Sequence, residues 1–316
     1  MLVHSATAQG IAACAEKLKQ GGLVALPTET VYGLAGDATN GAAIASIYAT
    51  KARPQFNPLI CHIADIAQAR RIGLFNDMAE KLAAAFWPGP LTLVVPRQEN
   101  CPVDPLASSG LDTIALRIPA HETAQKLLHN LGFPVVAPSA NPSGRLSPTS
   151  AAHVADMLPN IDVLDGGTCA IGLESSIVGC LDDKPLWLRS GGLARADIEA
   201  CLGVPLIEPP DETDETARLA PGRLARHYAP HSQLRLNAET AQNGELLIGF
   251  GGTAPADCFA NLSPSGDITE AAAQLFTVLH SADKAARDMG KNLAIMPIPS
   301  GGLGEAINDR LMRASA

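Results

Sequence analysis

Short apolar runs alternating with amphipathic stretches predict an α/β fold in two unequal parts, a sheet with helices packed on it followed by a smaller α/β unit. Three observations carry this. Apolar segments of strand length, such as Leu91–Val95 and Thr113–Ile118, interleave through the first 205 residues with helical patterns such as Asp77–Phe86 and Glu122–Leu131. A chain of 316 residues is long enough for two domains that each bury a core. Between the two patterns lies EPPDETDET, Glu208–Thr216, whose prolines and acids are the composition of a solvated linker.

Taken in order, Ala8–Gln20 reads as a helix stopped by Gly21-Gly22 and followed by the strand Leu23–Leu26. Further strands are expected at Leu59–Ile63, Leu91–Val95, Thr113–Ile118, Pro134–Ala137, Ser176–Cys180 and Leu186–Leu188. Helices are expected near Ala42–Ala49, Asp77–Phe86, Glu122–Leu131 and Pro148–Leu158, the last with Ser147 as its cap and a first-turn proline. Beyond the linker come strand Glu245–Phe250, helix Thr269–Arg287, strand Leu293–Ile298 and helix Gly304–Ala314, a βαβ-type pattern. The expected division is 1–205, a linker or lid over 206–231, and 232–316.

Composition narrows the function classes. The net charge of −9 argues against a protein that holds long nucleic acid by its phosphates, though a compact cationic pocket for a small phosphate ligand remains compatible. No stretch approaches the ~18 apolar residues of a membrane span, and MLVHSATAQG lacks the basic and apolar regions of a secretion signal. Seven scattered cysteines without a C-x-x-C pair fit reduced thiols in the cytoplasm better than a disulfide framework or a zinc site. P-loop, H-E-x-x-H, G-x-S-x-G and EF-hand motifs are all missing. Ser300–Gly304 imitates a dinucleotide loop but reads better as a tight turn.

The segments that could carry chemistry are strand exits rich in hydroxyls and glycines. LPTETVYGLAGD, Leu26–Asp37, suits a small polar ligand about as well as it suits a plain Thr/Gly turn. Lys51 and Arg53, one residue apart, could present an ammonium and a guanidinium to a phosphate chain. His62 lies mid-run among apolar residues, where a satisfied core histidine is the commoner outcome. Arg117, in an apolar strand, wants an anion, either a structural acid or a ligand carboxylate. PSANPSG, Pro138–Gly144, can cradle an anion, with Ser147 at an expected helix N-terminus beyond it. WPGP, at Trp87–Pro90, is given a packing role. ESS and LRSGG add hydroxyls, a cation and a glycine turn. Together these suit aligning a nucleotide with a small acid better than covalent hydrolysis.

The ordered set LPTETVYGLAGDA, KARPQFNPLICHI, WPGPLTLV, IALRIP, PVVAPSANPSGRLSPT, ESSIVG, LRSGG and APGRLARHYAP resembles the threonylcarbamoyl-AMP synthase family in its long, two-domain form, and IPSGGLGEAINDRLMRAS resembles that form's ending. The resemblance implies a YrdC-like twisted mixed sheet with helices, then a smaller Rossmann-like α/β domain. It implies that L-threonine, bicarbonate and ATP give threonylcarbamoyl-AMP and pyrophosphate, with Mg2+ accompanying the ATP. The product would pass to a tRNA threonylcarbamoyl transferase for N6-threonylcarbamoyladenosine, without stable nucleic-acid or membrane binding by the chain itself. By motif, the threonine site would comprise Thr30, His62, Arg117, Ala137 and Ser175. The ATP site would comprise Lys51, Arg53, Asn57, Thr113, Ser139, Ser147, Arg189 and Tyr228. Lys51 and Arg53 would be catalytic, no protein metal ligands are implied, and Tyr228 would belong to a lid. Two other readings stand beside this one: an RNA-binding module, disfavoured by the acidic balance and 4% aromatic content, and a nucleotide hydrolase indifferent to threonine.

Overall fold

The computed structural model of the chain describes residues 1–54, 57–209 and 227–316. Most of the expected linker, 210–226, therefore lies outside the described residues. The first unit is built from strands β1 (Val3–Ser5), β2 (Val24–Leu26), β3 (Gly33–Asp37), β4 (Ile60–His62), β5 (Leu91–Pro96), β6 (Thr113–Arg117), β7 (Val135–Val136), β8 (Asp162–Asp165), β9 (Ser176–Gly179) and β10 (Leu186–Arg189). They form one mixed sheet in the order β1-β8-β2-β3-β7-β4-β6-β5-β9-β10. Its helices are α1 (Ala8–Lys19), α2 (Gly41–Lys51), α3 (Ile66–Ile72), α4 (Asp77–Phe86), α5 (Glu122–Leu131), α6 (Ala151–Met157) and α7 (Arg195–Leu202). The second unit has a parallel sheet of β11 (Leu234–Arg235), β12 (Glu245–Gly249), β13 (Ala260–Asn261) and β14 (Asn292–Ile295), ordered β11-β14-β12-β13. Helices α8 (Ile268–Met289) and α9 (Gly304–Ser315) complete it. No helix among the described residues is long and apolar enough to cross a membrane.

Local chemistry sets the elements that carry site residues. Asn40 caps α2 by accepting from the Ala42 and Ala43 N–H groups. The helix ends where Ala52 turns left-handed (φ 49°), between Lys51 and Arg53, so the two cations leave the helix on different paths. The half of LPTETVYGLAGD that also read as a turn is instead β3. A Cβ on Gly36 would come within 3.0 Å of Leu23 Cδ2 and 3.1 Å of Ile47 Cδ1, so the glycine is what lets α2 lie close against the sheet.

A second correction concerns the helix expected at Pro148–Leu158. It begins only at Ala151, and Ser150 is its cap, accepting from His153 N at 3.3 Å. The Pro148 carbonyl is committed to Tyr32 N at 2.8 Å and so is not free to accept from a helix begun at Pro148. Ser147 is thus not at a helix N-terminus, and the dipole argument for phosphate there falls away.

The two units share apolar packing. Val31, Leu146, Leu173 and Tyr228 belong to the same buried cluster as Leu275, Phe276, Leu293 and Ile307. At this junction Gly172 (φ 75°) presses on α8 so closely that a Cβ would sit 2.6 Å from the Ala272 carbonyl oxygen. The described ends of the expected linker are attached on both sides. Ile207 N donates to the Pro185 carbonyl at 2.9 Å, and Ala229 N to the Gly144 carbonyl at 2.8 Å.

Candidate active site

The register of the large sheet places His62 directly beside Arg117 on parallel neighbours β4 and β6. Both face a pocket lined by the β2–β3 turn, the loop after β7, Glu174-Ser175, Arg189 and the pair His227-Tyr228. All five residues expected at the threonine side line it: Thr30, His62, Arg117, Ala137 and Ser175. So do Arg53, Ser139, Arg189 and Tyr228 from the nucleotide side.

The remaining four expected residues lie outside that lining. Lys51 is directly behind it, with Nζ donating to the Ser139 and Asn141 carbonyls. Asn57 braces Arg53, its carbonyl accepting from Arg53 Nε at 3.3 Å, while its own Oδ1 is buried without a hydrogen-bond partner among the described residues. Ser147 Oγ donates to Glu174 Oε1. Thr113 sits four residues before Arg117 at the other end of β6, paired with Pro96.

Arg117 is 3% exposed, and each of its nitrogens is engaged. Nε donates to the Gly89 carbonyl at 3.1 Å, Nη1 to Thr30 Oγ1 at 2.9 Å, and Nη2 to Glu29 Oε1 at 2.6 Å. Glu29 is the structural acid that the sequence left open, and its buried Oε2 has no hydrogen-bond partner among the described residues. Three of the five guanidinium N–H bonds are thereby used, and two remain for a ligand. Thr28 Oγ1 fixes Thr30 in turn, 2.8 Å from its hydroxyl. Ser175 is held by Thr92 Oγ1 at 2.7 Å and by Arg189, whose Nη2 donates to its carbonyl at 2.8 Å.

The electrostatics favour an anion on the Lys51–Arg53 side. Burial, then the neighbouring Arg53 charge, pushes the Lys51 ammonium well below its ordinary range. Burial likewise lowers Arg53 to about 10, and it lowers Arg189. Among the described residues no carboxylate pairs with Lys51 or Arg53, so an incoming phosphate would supply the missing counter-charge. Glu174 offers little here because it is already bound. Burial would raise its carboxyl, but Arg310, Arg189 and the Ser147 hydroxyl together hold it below the ordinary value.

His62 is lowered to about 3, by burial first and the Arg117 charge second. Its Nδ1 lies 3.2 Å from the Ile60 carbonyl, which can only accept. Nδ1 therefore carries the proton, and Nε2 is left as an acceptor. Burial also brings His227 to about 3. Both imidazoles titrate lower in the folded chain than in the unfolded one, so the unfolded state binds more protons between about pH 3 and 6.5. Their stabilising contribution is fully present above about pH 6.5 and is lost as pH falls, at ~1.4 kcal/mol per pH unit for each ring. Urea unfolding is accordingly expected to show a clearly lower midpoint at pH 5.5 than at pH 7. A midpoint unchanged between them would contradict the neutral, buried state of these rings.

Sequence reasoning gave no role to Thr92, His227, the Glu29–Arg117 pair or Arg310. For Arg310 a signal existed. It falls on the stripe Ala306, Ile307, Arg310, Leu311, Ala314, the core-facing side of an amphipathic helix.

A family model described as "Telomere recombination" matches residues 16–191, and one described as "Threonylcarbamoyl-AMP synthase, C-terminal domain" matches residues 193–316. The threonylcarbamoyl-AMP synthase of Bacillus subtilis is 36% identical over 324 residues, covering 96% of this chain and 92% of that protein. The chain belongs to the threonylcarbamoyl-AMP synthase family. The threonylcarbamoyl-AMP synthase of Pyrococcus abyssi is 38% identical, over 94% of this chain and 92% of its own length. The crystal structure of P. abyssi Sua5 complexed with L-threonine superposes with a TM-score of 0.89 at 35% identity, covering 100% of this chain and 98% of that one. The synthase fold therefore extends over both units.

Proposed function

We propose that the chain makes threonylcarbamoyl-AMP and pyrophosphate from L-threonine, bicarbonate and ATP. The observation that carries this is one pocket lined both by an amino-acid clamp, Arg117 with Thr30 and His62, and by the cations Arg53 and Arg189. Arg117 takes the threonine carboxylate on its two remaining N–H bonds, and His62 Nε2 accepts from the substrate's hydroxyl or amine. That the P. abyssi relative is solved with L-threonine bound supports threonine as the occupant. The neutral amine attacks bicarbonate, giving carbamate and water. A carbamate oxygen then attacks the α-phosphorus of ATP, a P–O bond forms, and the bond to pyrophosphate breaks.

Lys51, Arg53 and Arg189 offset the charge that develops on the phosphates. Asn57 and Ser139 hold the first two cations in place, while Ser147 positions Glu174. Thr113, at the far end of β6, is assigned to the nucleotide beyond the cavity. No cluster of three or more metal-ligating side chains exists among the described residues, so Mg2+ would be held by the phosphate oxygens it arrives with. Tyr228, 1% exposed, and His227 exclude water from the carbamate and the mixed anhydride.

The product is a mixed anhydride suited to group transfer, and we assign it to a tRNA threonylcarbamoyl transferase. The proposed compartment is the cytoplasm, supported by seven cysteines that are all free. Pyrophosphate release from MgATP tests the reading: it is expected only when L-threonine and bicarbonate are both present. Release indifferent to threonine would make the chain a nucleotide hydrolase instead.

A further inference from the structure

One wall of the cavity is held from outside the first unit. Arg310, on α9, has no solvent exposure. Its Nε donates to Glu174 Oε2 at 3.0 Å, and its Nη1 to the Ser190 carbonyl at 2.7 Å and Asp309 Oδ2 at 2.9 Å. Its Cζ lies 5.3 Å from the centre of the Tyr228 ring. Near the end of the same helix the Arg313 carbonyl accepts from His227 N at 3.2 Å. Three residues that line the cavity, Glu174, His227 and Tyr228, therefore depend on α9 for their placement. By contrast, the hydrogen bonds of Thr30, His62 and Arg117 stay within the first unit. Nη2 of Arg310 is buried without a hydrogen-bond partner among the described residues, so burying the guanidinium here carries a cost.

We propose that Arg310 is a positioning residue for the nucleotide half of the cavity. Its guanidinium fixes Glu174, through it Ser147, and the Ser190 turn next to Arg189, while it lies over the Tyr228 ring. The second unit then contributes directly to the ATP-dependent step and not to threonine capture. A guanidinium suits this because it is a planar fork with a stacking face, which an ammonium lacks.

The proposal rests on the synthase reading, which threonine-dependent pyrophosphate release by the unmodified protein tests separately. Arg310→Lys is then compared on the same assay. It is expected to bind L-threonine, measured calorimetrically without ATP, within about twofold of the unmodified protein, while kcat for pyrophosphate release falls about tenfold. Glu174→Gln is expected to lower kcat as well, and the double variant to be no slower than Arg310→Lys alone, since both remove one linkage. Three results would overturn the proposal. They are an unchanged kcat in Arg310→Lys, equal losses of threonine affinity and kcat (the pattern of a loosened fold), or additive losses in the double variant.

Discussion

Arg117→Leu is expected to weaken L-threonine binding on the order of 100-fold, the loss of a charge-assisted carboxylate contact worth about 2–3 kcal/mol. The same change should destabilise the fold by about 3–5 kcal/mol, because it leaves the Glu29 carboxylate buried without its cation. The two consequences are separable. Glu29 is 8% exposed and meets Arg117 Nη2 at 2.6 Å, so Glu29→Gln in the Arg117→Leu background removes the stranded charge. That double variant is expected to regain much of the stability while still failing to bind threonine. Urea unfolding and threonine titration check the two halves. Near-normal threonine affinity in Arg117→Leu would remove the clamp from the proposed mechanism.

Arg53→Ala should act on the other half of the reaction. Removing one positioned donor from a phosphoryl-transfer site lowers kcat on the order of 10²–10³-fold. Threonine affinity is expected to stay near normal, because among the described residues Arg53 hydrogen-bonds the Asn57 and Pro58 carbonyls and none of the threonine-side groups. The fold should also tolerate the change. The Asn57 carbonyl keeps its bond from Tyr48 Oη at 3.1 Å, and a buried cation without a carboxylate partner is removed. Pyrophosphate release within threefold of the unmodified protein would contradict the phosphate-clamp role.

These expectations show which parts of the molecule are legible from local sequence. Asp77–Phe86 and Glu122–Leu131 form the helices expected of them, one capped by Asn76 and the other closed by a left-handed Gly132. β3 is ambiguous in sequence because its glycines are poor strand formers, and the close neighbours that call for them, Ala137 beside Gly33 and Leu23 and Ile47 beside Gly36, are set only by the fold. β8 begins and ends with aspartate and owes its strand geometry to pairing with β1 on one side and β2 on the other. The cap signal at Ser147-Pro148 was chemically sound, yet Tyr32 claims the carbonyl a helix would need.

At the site, the residue types and their order carried the reading, and a shared cavity for nine of the expected residues could be seen only in three dimensions. Arg117's need for an anion was visible, while the choice of Glu29 depends on how the β2–β3 turn folds over β6. Arg310 shows the limit most clearly. Its charge on a core-facing stripe marks it as unusual, but Glu174 and Ser190, which it holds, lie more than a hundred residues away in sequence, and no local pattern encodes how the two units dock.

The alignment of His62 with Arg117 has a consequence for how such a protein can diverge. Side chains alternate between sheet faces, so a shift of one residue along β4 would turn His62 out of the cavity and bring Cys61 in. Point substitutions around the cavity can accumulate one at a time, each with a graded effect. A single inserted or deleted codon between Leu59 and Ile63 has no graded version, because it inverts the strand while leaving its composition almost intact. Among descendants of this chain, length within that strand should be far more constrained than the identity of its apolar residues.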